Sequence, residues 1–204
     1  MTEITVSKLL EFGSDSLKLK VLAGENFLDR KINETAMNRP GLALTGFFTY
    51  FANQRLQIFG LAELTYIKNL NSKDRQYRLE EVFKKNIPGI VLTRKRKAIP
   101  EILELAAIYN VPVLSTSMVT MDFVNACTVM LDDLTAPAKR IQGTALEIMG
   151  IGVLLRGDPG IGKSETALAL IERGYSLVSD DVTEIRRTSR GKLICWANDL
   201  TRYH

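Results

Sequence analysis

The segment Gly157-Asp158-Pro159-Gly160-Ile161-Gly162-Lys163-Ser164 fits the pattern G-x-x-x-x-G-K-[ST] without deviation. No other feature constrains the chain as much. Such a segment holds a phosphate only where a strand enters it and a helix leaves it. Both are legible here: Ile151-Gly152-Val153-Leu154-Leu155-Arg156 reads as an apolar strand. Lys163 to Arg173 is rich in Ala, Leu and Glu, with Gly174 placed as a C-terminal stop. Gly157, Gly160 and Gly162 allow backbone conformations and close approach that a side chain would block. Successive N–H groups and the positive end of the helix then receive a β-phosphate. Lys163 adds a mobile cation for the β and γ oxygens, and Ser164 a hydroxyl for a bridging Mg²⁺. The loop predicts nucleoside-triphosphate binding and leaves the reaction open.

What selects the reaction is expected next. Tyr175-Ser176-Leu177-Val178-Ser179 reads as a strand ending in Asp180-Asp181. In a parallel layered sheet, functional groups collect at the carboxyl ends of strands, which puts this pair within range of a γ-phosphate. Side chains alternate along a strand, so one aspartate of the two is expected to face the phosphates. That carboxylate takes the proton of an attacking hydroxyl, or holds Mg²⁺ through water; the alternative is a solvated turn with no chemistry. Glu165, in the first turn of the helix, is either a dipole-stabilising acid or an outer partner of magnesium.

Composition excludes several classes. Across 204 residues, 46% are hydrophobic and 25% charged, as in ordinary globular proteins. The stretch Ile148 to Leu155 is too short to cross a bilayer, and Met1-Thr2-Glu3-Ile4 does not open a secretory signal. A cytoplasmic protein with no membrane partner is the expectation. The two cysteines, Cys127 and Cys195, make no disulfide framework and no metal spacing, and the single histidine is His204. Net charge is +4, and the densest basic cluster is Thr93-Arg94-Lys95-Arg96-Lys97. It lacks an interleaved aromatic platform, so it reads as a surface loop with no nucleic-acid partner; an acidic partner is the other reading.

The expected boundary is Asp132-Asp133-Leu134-Thr135-Ala136-Pro137-Ala138-Lys139, with paired acids and a proline between structured regions. It separates an N-terminal domain, residues 1–132, from a domain at 140–204, with a linker at 133–139. In the first, Gly89-Ile90-Val91-Leu92-Thr93 reads as a buried strand. A helix from Glu101 to Tyr109 follows, with Ile102, Leu103, Leu105, Ala106 and Ile108 on its apolar side, then Val111-Pro112-Val113-Leu114 as a strand. Strand, helix and strand in that space predict a right-handed parallel crossover and an α/β domain. Arg39-Pro40-Gly41-Leu42 and Gly46-Phe47-Phe48-Thr49-Tyr50-Phe51 read as turn and core, or as a ligand surface. In the second domain, Ile141 to Met149 and the strand at 151–156 pair as a hairpin broken by Gly150, feeding into the loop.

The run from Gly150 through the loop to Leu168, and Glu172-Arg173-Gly174-Tyr175-Ser176-Leu177-Val178-Ser179-Asp180-Asp181, resemble the HPr kinase/phosphorylase family. So do Asn38-Arg39-Pro40-Gly41-Leu42, Thr45-Gly46 and Arg55-Leu56-Gln57-Ile58-Phe59-Gly60. The resemblance spans essentially the whole chain. It implies an α/β protein, with a P-loop kinase domain after the N-terminal one. The activity implied is ATP-dependent phosphorylation of a serine of the phosphocarrier protein HPr. The reverse is phosphorolysis, in which inorganic phosphate gives pyrophosphate. By position, Lys163 would neutralise phosphate and Ser164 would bind Mg²⁺. Asp181 would be the base in phosphorylation and the acid in phosphorolysis, assisted by Asp180. A homo-oligomer, a hexamer, is implied as well.

The resemblance departs from the family in two places. The family carries a His-Gly pair one strand before the loop, with the His in the active site, where this chain has Gln142-Gly143. Gln hydrogen-bonds phosphate or orients a carboxylate but does not titrate near neutrality. The sequence also ends at His204, where the family continues into a segment with a metal-binding acid and helices that hold HPr. The match is therefore expected to cover the N-terminal two-thirds of the family pattern.

Overall fold

Short, uninterrupted apolar runs in the N-terminal part form a mostly parallel sheet. The computed structural model describes residues 4–188 and 191–197, and His204 lies outside them. The chain divides into two compact units, Thr2–Thr135 and Ala136–His204.

In the first unit the elements are β1 (Ile4–Thr5), α1 (Val6–Gly13), β2 (Leu19–Ala23), β3 (Lys31–Ile32), α2 (Gly41–Leu44) and β4 (Gln57–Phe59). There follow α3 (Leu61–Asn69), α4 (Ser72–Phe83), β5 (Ile90–Leu92), α5 (Pro100–Tyr109), β6 (Val113–Thr116) and α6 (Thr120–Thr135). The sheet order is β2-β6-β5-β4. Strands β4, β5 and β6 run parallel, in the registers Gln57↔Ile90 and Ile90↔Val113, and β2 is antiparallel to β6. The expected crossover is thus β5-α5-β6. Every residue of β4 and β5 is buried, as parallel strands covered on both faces must be. Phe59, Phe83, Leu79, Ile90 and Ile102 lie in one cluster with no measurable exposure beyond 1%.

Helix α5 starts on Pro100, whose missing N–H costs nothing at that position. It stops on Asn110 in the left-handed conformation, φ 54°. It buries Ile102, Leu105 and Ala106. Leu103 and Ile108, expected on the same side, are exposed. At 100° per residue they fall off the 102/105/106 stripe. The aromatic run after Gly46 is a turn at the margin of the core. Phe48 and Phe51 meet edge to face at 5.5 Å, and Phe47 and Tyr50 are exposed.

The residues read as a linker are structured. Helix α6 continues past the paired acids to Thr135 because Leu131 and Leu134 lie on its buried side. Pro137 follows, and β7 (Ala138–Gln142) begins at once.

The second unit continues with β8 (Thr144–Ile148), β9 (Ile151–Leu155), α7 (Lys163–Glu172), β10 (Ser176–Ser179), β11 (Val182–Arg187) and β12 (Leu193–Ala197). Two antiparallel sheets result, β10-β8-β9 and β12-β11-β7. The hairpin is β8-β9, turned by Met149 (φ 52°) and Gly150 (φ 80°), the positive pair that a two-residue turn prefers. Residues 141–149 are not one strand. Gly143 divides them, sending β7 to one sheet and β8 to the other. A Cβ on Gly143 would stand 2.6 Å from the Leu155 carbonyl, and its φ is 152°, so the crossing requires glycine. Among the described residues no helix is long and apolar enough to cross a membrane.

Candidate functional site

Strand β9 delivers the chain to the loop, and α7 leaves it with Gly162 (φ 96°) as its N-cap. The first intrahelical bond is from Thr166 N–H to the Gly162 carbonyl, 3.0 Å, so the amides of Lys163, Ser164 and Glu165 precede it. Gly160 has φ 80°, and a Cβ there would meet nothing within 4 Å; one on Gly162 would meet only the Glu165 carboxylate at 3.9 Å. The loop is therefore open around Gly160 and Gly162. Lys163 Nζ donates to the carbonyls of Gly157 and Asp158, 2.8 Å each, which holds the ammonium against the loop. Asp158, Pro159 and Ile161 are exposed along it. Helix α7 ends as expected at Gly174, φ 90°. Tyr175 N–H reaches the Leu170 carbonyl and Gly174 N–H the Ile171 carbonyl, the paired bonds of a left-handed glycine stop.

Triphosphate and Mg²⁺ fit these residues. The loop offers a cation and the amides of Lys163, Ser164 and Glu165, which have no intrahelical acceptor. The exposed hydroxyl of Ser164 has no partner among the described residues. No group of three or more His, Cys, Asp or Glu able to hold a metal occurs among them.

The aspartates lie elsewhere than strand alternation predicts. The sheet is antiparallel, not parallel. Strands β9 and β10 still run the same way, because each is antiparallel to β8 between them. Their carboxyl ends therefore share one edge, separated by two strand spacings, about 10 Å. At that edge Thr144 pairs with Leu155 on one side and hydrogen-bonds Asp180 on the other. Asp180 and Asp181 are outside β10 and form a tight turn. Val182 N–H donates to the Asp180 carbonyl at 2.7 Å around Asp181, whose φ is 60°. A three-residue turn with positive φ is rare and strained, and the surroundings must impose it. Gly143 N–H donates to the Asp181 carbonyl at 2.9 Å.

That turn makes the two carboxylates unequal. Asp180 Oδ1 accepts from the Thr144 hydroxyl at 2.8 Å and from Asp181 N–H at 3.0 Å. The carboxylate of Asp181 is exposed and has no partner among the described residues. Gln142 pairs with Val182 across the β7-β11 ladder, so the register sets it next to the aspartate turn, also exposed.

The buried hydroxyls that hold this edge escaped the reading of the sequence. Thr144 is 3% exposed and fixes Asp180; Thr183 is fully buried and donates to the Gly143 carbonyl at 2.8 Å. Ser179 donates to the Val182 carbonyl at 2.8 Å across the turn. Threonine on the apolar side of a strand is the only signal they leave. Of the cysteines, Cys127 lies buried in α6, with its thiol pushed up to about 12 by burial, and Cys195 is half-buried in β12.

Known families account for the chain in two parts. The HPr Serine kinase N terminus family matches residues 4–131, and the HPr Serine kinase C-terminal domain family matches residues 133–204. An HPr kinase/phosphorylase of Leptospira biflexa is 40% identical over 201 residues, 98% of this chain and 62% of the relative. One from Caldicellulosiruptor bescii is 41% identical over 175 residues, 86% of this chain and 56% of the relative. One from Halalkalibacterium halodurans is 36% identical over 203 residues, 100% of this chain and 64% of the relative. This chain thus spans less than two-thirds of the length of those relatives. A solved HPr(Ser) kinase/phosphatase from Coxiella burnetii is 39% identical over 30% of this chain and 37% of its own, with a TM-score of 0.29. By the extent of these matches, the chain belongs to the HPr serine kinase family.

Proposed function

We propose that this protein binds ATP and transfers its γ-phosphate to a serine hydroxyl of HPr, and that it reverses the modification by phosphorolysis. One observation carries the proposal: the glycine loop after β9 and the aspartate turn after β10 leave the same edge of one sheet, with β8 between them. In the forward reaction the serine oxygen bonds to the γ-phosphorus as the bond to the β,γ-bridging oxygen breaks and ADP leaves. The Asp181 carboxylate receives the serine proton. In reverse, an oxygen of inorganic phosphate attacks the phosphoserine phosphorus. The serine oxygen leaves with the proton from Asp181, and pyrophosphate forms. Lys163 and the loop amides balance phosphate charge, and Asp180, tied to Thr144, holds the turn that presents Asp181. Mg²⁺ held by Ser164 and phosphate oxygens would neutralise charge building on the β and γ oxygens. Gln142, next to the turn, orients phosphate or the Asp181 carboxylate without exchanging a proton.

The test follows labelled γ-phosphate from ATP to HPr with the full gene product. A serine-linked label that falls about 100-fold or more in Asp181→Ala is expected. Absence of that product, or an undiminished Asp181→Ala, sinks the reading. A second reading, a nucleotide-binding regulatory module without turnover, is favoured by Gln142 at the family's histidine position. Tight ATP·Mg²⁺ binding that depends on Lys163, without product, would select it. The proposal includes a homo-oligomer in the cytoplasm, on family membership alone. A monomeric mass by light scattering across micromolar concentrations would remove the oligomer.

A further inference from the structure

Two sequence features without a role in the second unit meet at one cleft in the first. Arg39, from the Arg39-Pro40-Gly41-Leu42 segment, and Arg94, from the basic cluster, line a cavity of about 540 Å³. Its other walls are chiefly apolar, with Met37, Leu61, Val119 and Met121. Leu61, Val119 and Met121 are each more than a third exposed, so an apolar surface lies open beside the two cations. The cleft sits past the carboxyl ends of β4 and β5, which lead into α3 and into Arg94; ligands collect there in open α/β sheets. Its volume is that of a small-molecule site.

The two arginines are set differently. Arg39 is clamped by the Glu63 carboxylate, Nε to Oε1 at 3.0 Å and Nη2 to Oε2 at 3.1 Å. Glu63 is buried and also accepts Gly60 N–H at 2.9 Å, so it fixes the guanidinium while Nη1 remains unbonded among the described residues. Arg94 has no side-chain hydrogen bond or ion pair among the described residues. Its backbone is held instead, by its N–H on the Met118 carbonyl at 2.9 Å and by Lys95 N–H on the Thr116 carbonyl at 2.8 Å. Thr120, in the wall of the cleft, shares a 2.7 Å hydrogen bond between hydroxyls with Thr93, joining the end of β5 to the start of α6. One positioned donor and one free planar cation over an apolar wall match a phosphomonoester on an apolar, planar body.

We propose that this cleft is a second ligand site, which takes a nucleoside monophosphate or a molecule of the same chemistry. The phosphate meets Arg94 and the free edge of Arg39, and the planar base lies on Leu61, Val119 and Met121. The site is separate from the glycine loop and does not depend on the function proposed for it.

The experiment is calorimetric titration of AMP into the whole chain and into Lys163→Ala, which removes the loop cation. Adenosine and inorganic phosphate are the control ligands. One equivalent of AMP is expected to bind both proteins alike, and each control ligand more weakly than AMP. Arg94→Ala is expected to weaken AMP about tenfold or more, and Met121→Asp, which sets a carboxylate on the open wall, to do the same. Both positions are exposed, and unchanged circular dichroism checks that the variants fold. No saturable AMP binding by Lys163→Ala, or AMP binding indifferent to Arg94→Ala and Met121→Asp, overturns the proposal.

Discussion

The two units hold their shape by different means. In Thr2–Thr135, strands and helices enclose large side chains completely; Phe59, Phe83, Phe123, Leu44 and Ile58 are among those with almost no exposure. Among the described residues of the other unit, the buried hydrophobic side chains are Ala136, Ala145, Leu146 and Ala167. Helix α7 buries only Ala167, while Leu168 and Ile171 are exposed, and so are Ile151, Leu177 and Leu193 on the strands and Met149 in the β8-β9 turn. Antiparallel ladders and buried hydroxyl bonds, Thr144 to Asp180 and Thr183 to the Gly143 carbonyl, order these residues. Around the glycine loop and the aspartate turn, backbone register is specified with little apolar burial. Among the described residues the first unit buries far more apolar area, while the second is ordered by ladder register and hydroxyl bonds.

The largest expected contrast is between truncations in the two units. Phe59→Ala should cost about 3–5 kcal/mol, because a fully buried ring leaves a cavity, whereas Leu168→Ala should stay within about 0.5 kcal/mol. Urea unfolding measures both, and equal costs would break the comparison.

Next in size is Gly143→Ala. The positive φ and the 2.6 Å approach to the Leu155 carbonyl should make it cost roughly 1–3 kcal/mol. The loss should be local. Amide exchange should quicken at Gly143 and Val182, whose N–H groups hold the aspartate turn, and stay slow at Ile90 and Leu92. Slow exchange at all four sites would show that the crossing tolerates a side chain.

Thr144→Val keeps shape and removes the donor to Asp180. About 1 kcal/mol is expected. A double-mutant cycle with Asp180→Asn should return most of that as coupling; additive costs would mean that the hydroxyl acts through packing alone.

The smallest effect is that of Cys127, which is zero at neutral pH. Burial raises its thiol from an ordinary 9.0 to about 12, so the folded state keeps a proton that the unfolded state releases. Stability is then untouched below about pH 9 and falls as pH rises from there toward 12. The stability difference between Cys127→Ala and the unsubstituted chain should shift between pH 8 and pH 10 in favour of the variant. In the native protein, iodoacetamide should modify half-buried Cys195 before Cys127.

Much of the fold was legible because its signals are local. The β5-α5-β6 crossover follows from two apolar runs around a helix with Pro at its start and Asn at its end. The β8-β9 hairpin follows from Gly150, and the end of α7 from Gly174. Reading failed where a residue answers to a distant neighbour. Residues 141–149 look like one strand, yet Gly143 must pass the Leu155 carbonyl, and the strand divides there. The stretch 133–139 reads as a linker between the units, yet Leu134 buries one more turn of α6 and β7 begins at Ala138. Asp180 and Asp181 look like alternating strand residues. The Gly143 N–H on the Asp181 carbonyl and the Thr144 hydroxyl on the Asp180 carboxylate hold them in a strained turn, with Asp180 fastened and the Asp181 carboxylate without a partner among the described residues.

The sequence by itself determined the glycine loop, because glycine spacing, a lysine and a hydroxyl carry their chemistry wherever a strand and a helix flank them. It determined the apolar runs of the first unit's sheet, because burial on both faces requires unbroken hydrophobic strands. Tertiary structure alone decided that β9 and β10 end at the same edge. Strand direction is set by pairing with β8, and no local pattern encodes it. It alone left the Asp181 carboxylate without a partner among the described residues, and it brought Arg39 and Arg94, far apart in the chain, to one cleft. Each depends on which backbone groups meet across the fold, and that is decided when the chain packs.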